Sequence, residues 1–137
     1  MRFMIIVRAT SDSEAGLLPD ASLLAAMGAY HEALAKAGVL LDANGLRPSS
    51  AGWRIQYDSK GQRKVVDGPF ADTKELVAGY TLIQVRSREE ALQWTLRFPE
   101  PFPDQPCEIE VRQLYELDDL GAGEAIERFR ALPGNGR

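Results

Sequence analysis

Three features of this chain stand out as candidates for proton transfer or nucleophilic attack. They are its one histidine, its one cysteine and the polar side chains of "VVDGPFADTKEL", residues 65 to 76. Asp67 and Glu75 flank the core of that run, with Lys74 beside Glu75. A carboxylate in a partly desolvated cleft is pushed toward its neutral form and can serve as general acid or base. Asp67 as acid or base, His31 as its proton partner and Glu75 as a substrate-orienting group make the candidate catalytic set. The competing reading is a tight turn. Gly68 tolerates conformations that other residues avoid, and Pro69 fixes the backbone. Pro69 and Phe70 suit the middle of a type I turn, with Phe70 free to plug an apolar gap. Asp72 and Thr73 have short side chains that can satisfy nearby backbone N–H groups. The run lacks the glycine spacing of a phosphate loop, and Lys74-Glu75 is unlike a Walker lysine.

The remaining reactive groups offer less. His31 lies at the edge of a helical apolar stripe, where a histidine is more often packed or solvated than catalytic. With Glu32 beside it and no second histidine, it lacks a ligand set for a transition metal, and no cofactor motif is present. Cys107 opens an apolar strand beside Glu108 and reads as a small inert hydrophobe. Trp53, Tyr57, Tyr80 and Trp94 read as core and dimer-interface side chains rather than a cofactor box.

The elements that must position these groups follow from periodicity. Phe3 to Val7 is an apolar strand run. Residues 11 to 19 read as a loop. A helix capped by Asp20 or Ser22 carries Leu23, Met27, Tyr30, Leu34 and Ala37 on one face and stops at Gly38. Val39 to Leu41 is a short strand leading to an Asn44-Gly45 turn, and Pro48 to Gly52 is a loop. Trp53 to Tyr57 alternates as a strand, turns at Asp58 to Gly61, and pairs with Arg63 to Val66 as a hairpin. Leu76 to Val85 is apolar on both faces and reads as a central strand. Ser87 and Glu90 match a capping box opening a second helix, with Ala91, Trp94, Thr95 and Phe98 as its buried stripe. Four prolines between 99 and 106 break the chain. Cys107 to Leu117 reads as the last strand, and residues 121 to 132 as a short helix through Ile126, Phe129 and Leu132.

That order reduces to βαββαβ with an extra hairpin. It is the ferredoxin-like α+β arrangement, an antiparallel sheet with its helices on one face. The other face is left uncovered, so a homodimer packed sheet to sheet through this open face is expected.

At 137 residues one domain is expected, spanning residues 1–137 with 121–137 as a C-terminal extension. The net charge of −4 is uneven. Asp104 to Arg130 holds eight acidic and three basic residues, a net −5, leaving +1 elsewhere. No basic stripe exists to neutralise phosphates, which argues against a nucleic-acid partner. The single cysteine excludes an intramolecular disulfide. The five-residue apolar run before Arg8 is too short for a signal peptide or a membrane span, so a cytoplasmic protein with no membrane association is expected.

The stretch Asp67 to Glu75 resembles the signature of the DGPF branch of the YCII-related family. The resemblance extends to MRFMIIVRAT, AGVLLDANGLRPSS, ELVAGYTLIQVRSREEALQW and EIEVRQLYELDDLG, about residues 1 to 121. It implies a ferredoxin-like dimeric α+β barrel. It also implies a small enzyme or binder with a histidine–aspartate pair, or a regulatory module associated with alternative sigma factors. The family histidine falls near Met27, with His31 one turn later. The family aspartate falls near Phe98-Pro99, where this chain has none. Two function classes therefore stand. One is a small-molecule acid–base enzyme or binder. The other is a non-catalytic dimeric module with a regulatory protein partner, to which the acidic C-terminal segment is offered.

Overall fold

The first strand and the central strand are apolar on both faces, and alternating burial along them marks which face carries the core. The computed structural model describes residues 1–71 and 73–134, with Thr73 described by its backbone alone. In chain order the elements are β1 (Arg2–Arg8), α1 (Ser11–Glu14), α2 (Ala21–Lys36), β2 (Leu40–Gly45), β3 (Trp53–Tyr57), β4 (Arg63–Asp67), β5 (Val77–Gln84), α3 (Arg88–Leu96), β6 (Ile109–Gln113) and α4 (Glu124–Arg130). Four strands form an antiparallel sheet in the order β2-β5-β1-β6, while β3 and β4 pair as a separate hairpin. Without that hairpin, the order and connections are those of the expected ferredoxin-like βαββαβ fold.

One face of the sheet carries the core. Phe3 and Ile5 of β1 and Ile83 of β5 pack with Tyr30 and Leu34 of α2 and Ala91 of α3. Trp94, Phe98 and Ile109 close over this cluster. Both helices start where short side chains can cap them. Asp20 accepts the N–H of Leu23, and Ser87 accepts the N–H of Glu90. The Glu90 carboxylate accepts the Arg86 N–H instead of completing the expected reciprocal box with Ser87. Gly38 ends α2 with a φ of 75°, a left-handed conformation that glycine takes without a Cβ clash.

The opposite face has an apolar centre between polar edges. The register sets Ile6 beside Tyr80 and Met4 beside Leu82. Asn44 and Asp42 of β2 flank them on one side. Glu110 and Arg112 of β6 flank them on the other. Hydrogen bonds from Arg112 and Arg8 hold the Glu110 carboxyl below its ordinary pKa.

Several local expectations are corrected. Residues 11–14 form one helical turn because Thr10 and Ser13 cap each other's backbone N–H groups. Asn44-Gly45 is not a turn but the end of β2, held to β5 opposite Tyr80 and Gly79. A 3₁₀ turn occupies Ser49–Ala51 within the expected loop. The last strand is shorter than its alternation implied, running only from Ile109 to Gln113. Cys107 therefore lies outside the sheet and is exposed. Its prolines hold the preceding segment off the ladder, since proline has no N–H to contribute. The expected terminal helix exists as α4, but Phe129 and Leu132 are exposed rather than packed.

Candidate functional site

His31 is placed by α2, whose capped start and apolar face turn its ring toward the sheet. Its Nδ1 lies 2.7 Å from the Met27 carbonyl oxygen one turn back, and its Nε2 lies 2.8 Å from the Thr81 hydroxyl on β5. A carbonyl only accepts, so Nδ1 carries the proton and donates. In the neutral ring Nε2 then accepts from the Thr81 hydroxyl. The neutral ring is fully satisfied in this state. Aromatic edges enclose it, with Tyr30 at 5.4 Å and Phe98 at 6.2 Å between ring centroids. Phe98 occupies the position where the family resemblance expects a carboxylate. An apolar ring edge neither orients an imidazole by hydrogen bonding nor compensates an imidazolium as a carboxylate does.

Tyr30 reinforces the same layer. Its hydroxyl donates to the Trp94 carbonyl at 2.8 Å, tying α2 to α3. Burial pushes its pKa up to about 12, with Arg97 pulling the other way.

Asp67 sits at the end of β4, opposite Trp53, with its side chain exposed. Glu75 closes a 3₁₀ turn at Thr73–Glu75 and is also exposed. Among the described residues, no hydrogen bond or ion pair joins any two of His31, Asp67 and Glu75. The expected roles of Asp72 and of the Thr73 side chain lie outside the described residues.

The DGPF run has a clear structural role. The backbone of Gly68 passes so close to Ser49 that a Cβ would sit 1.9 Å from the Ser49 carbonyl oxygen. The Gly68 N–H donates to Gly52 O at 3.0 Å, and the Phe70 N–H donates to the Ser49 hydroxyl oxygen at 3.0 Å. Ser49 is held in turn by Glu14, whose carboxylate accepts its backbone N–H at 2.9 Å and its hydroxyl proton. The Arg54 guanidinium stacks 3.8 Å over the Phe70 ring. The Gly68-Pro69 peptide is cis. The run thus clamps the hairpin base onto the Ser49 turn and α1.

Sequence reasoning missed Glu14, Ser49 and Thr81. A capping signal at Thr10 and Ser13 marks α1, and a lone threonine inside "VAGYTLIQ" marks a polar partner in the core layer. It also missed a polar trio on the open face, where Tyr80 donates to Asp42 at 2.9 Å and Asn44 donates to both. A shallow depression of about 350 Å³ lies at the exit of β6, lined by Gln113, Leu114, Tyr115 and Asp119. None of the expected site residues lines it. Among the described residues, no three His, Cys, Asp or Glu side chains converge as a metal site, and no helix is long and apolar enough to cross a membrane.

Comparison with known proteins adds three findings. The uncharacterised protein R00369 of Rhizobium meliloti (strain 1021) is 35% identical over 75 residues, 55% of this chain. The match spans 60% of that relative's own length. A solved structure of 5-chloro-2-hydroxyhydroquinone dehydrochlorinase (TftG) from Burkholderia phenoliruptrix AC1100, in complex with 2,5-dihydroxybenzoquinone, aligns over 85% of this chain and 95% of its own. Its identity is 15% and its TM-score 0.45, a likeness too distant to carry chemistry across. The family match covers residues 1–117, most of the chain, and by it this protein belongs to the YCII-related domain family.

Proposed function

We propose that the protein is a homodimeric, non-catalytic binding module. It pairs through its open sheet face and is not an acid–base enzyme built on Asp67, His31 and Glu75. The observation that carries this reading is the state of His31. Both ring nitrogens are spent on Met27 and Thr81, holding a helix to the central strand. Asp67 and Glu75 stand on the surface without contact to it. The dimer reading rests on the open face, where Met4, Ile6, Tyr80 and Leu82 form an apolar centre with a polar rim. That anatomy suits a protein interface. A cytoplasmic location fits the exposed, unpaired Cys107.

The test is NMR of the imidazole on the folded protein. A single neutral Nδ1–H tautomer whose signals ignore Asp67→Asn is the expected result. Signals of His31 that move with Asp67→Asn in a protein that remains folded overturn the reading.

A second reading, a small-molecule acid–base enzyme, draws on one feature. Nε2 faces a hydroxyl rather than a carbonyl, and a threonine rotamer change frees that nitrogen as a base. A ligand screen that shifts the Thr81 and His31 signals together favours it.

A further inference from the structure

The β3–β4 hairpin exposes an apolar face that nothing in its own chain covers. Trp53, Ile55 and Tyr57 alternate along β3, and Val65 lies directly opposite Ile55 on β4. These four side chains are between 45% and 64% exposed. A two-stranded hairpin is marginal by itself in water, and a face this apolar is a surface that packing would stabilise.

Exposed apolar side chains also gather in a second segment of the same chain. Residues 115–132, which run from the exit of β6 through α4, present Tyr115, Leu120, Phe129 and Leu132 at between 50% and 75% exposure. The charges are complementary. Residues 53–67, the whole hairpin, hold Arg54, Lys60, Arg63 and Lys64 against Asp58 and Asp67, a net +2. Residues 115–132 hold Glu116, Asp118, Asp119, Glu124 and Glu127 against Arg128 and Arg130, a net −3. Opposite fields on two apolar-centred surfaces steer and register their association.

The topology keeps the two apart within one protomer. The hairpin leaves and re-enters the sheet where Gly45 of β2 pairs with Gly79 of β5. The acidic segment leaves at the other end, where Gln113 pairs with Phe3. Gly79 pairs with Val7 of β1, four residues along from Phe3, so about 13 Å of strand separates these ends. A second copy brings them together. In a two-fold dimer with the sheets stacked end for end, each hairpin reaches the acidic segment of its partner, and the contact forms twice by symmetry.

We infer that the apolar face of the β3–β4 hairpin is the docking surface for the acidic C-terminal segment of a second copy of this chain. This rests on the homodimer reading and goes further by naming which surfaces meet.

The experiment is pairwise cross-linking on full-length protein in a Cys107→Ser background. Tyr57→Cys protein is mixed with Phe129→Cys protein and treated with a short bismaleimide, alongside sedimentation of the unmodified protein at micromolar concentration. A linked species in the mixture, with none from either variant alone, is the expected result. Arg63→Glu with Lys64→Glu is expected to weaken the dimer roughly tenfold at low salt. A dimer in sedimentation that gives no Tyr57→Cys to Phe129→Cys link, or that links hairpin to hairpin, overturns the inference and leaves the dimer reading standing. A monomer in sedimentation overturns both.

Discussion

The Nε2 of His31 and the hydroxyl of Thr81 lie 2.8 Å apart, and their hydrogen bond joins α2 to the central strand β5. Thr81 is almost fully buried, so this bond is made away from bulk water. Replacing Thr81 with Val keeps the shape but removes the donor. The half-buried imidazole is then left with an unmatched acceptor, at a cost of about 1–3 kcal/mol in urea unfolding. In NMR of Thr81→Val, the His31 tautomers redistribute, whereas a spectrum unchanged from the parent contradicts the assigned bond.

The Gly68–Ser49 approach makes a sharper demand. An alanine at Gly68 drives its Cβ against the backbone oxygen of Ser49, which no side-chain rotation relieves. Gly68→Ala is expected to destabilise by at least ~1–3 kcal/mol, with the largest hydrogen-exchange changes at the hairpin base.

Ser49→Ala tests the clamp from its other side. It removes the acceptor for the Phe70 N–H and one of the two donors to Glu14. A loss of about 1–2 kcal/mol is expected, with faster amide exchange at Phe70. Unchanged exchange there contradicts a clamping role.

Tyr30 gives the chain an alkaline limit. Its pKa is near the ordinary 10.0 when unfolded and is raised to about 12 in the fold, chiefly by burial. Below pH 10 both states keep the proton and stability is full. Between pH 10 and 12 the unfolded state releases the proton first, so stability falls as pH rises. The slope approaches about 1.4 kcal/mol per pH unit. Ultraviolet titration should show one phenol ionising near the upper value, and Tyr30→Phe should abolish that transition.

Asp67→Asn is expected to be nearly silent in stability, within about 0.5 kcal/mol, because the carboxylate is exposed and bonded to no described residue. A large loss in urea unfolding reveals a partner that this geometry lacks.

The secondary structure was legible because it is written in local patterns. Continuous runs of strand-forming apolar residues in "RFMIIVR" and "VAGYTLIQ" specify strands, and Asp20, Ser87 and Gly38 mark helix ends by side-chain chemistry within one turn. Strand order followed from the succession of elements, since few topologies connect βαββαβ without crossings. The last strand was overextended because the alternation from Cys107 to Leu117 continues past the ladder, and only pairing with β1 shows where it stops.

The site was less legible because its geometry is non-local. His31 and Thr81 are 50 residues apart, and Glu14 and Ser49 are 35 apart. No local rule links such pairs. By itself the sequence determined the two long helices and most of the strands, the fold class and the YCII-related family. The tertiary structure alone decided that Gly68 is needed for a close backbone approach. It also showed that His31 binds a helix to a strand while the exposed carboxylates stand apart. The physical reason is that hydrogen bonds and steric limits act over a few ångströms in space, wherever the chain has been brought together.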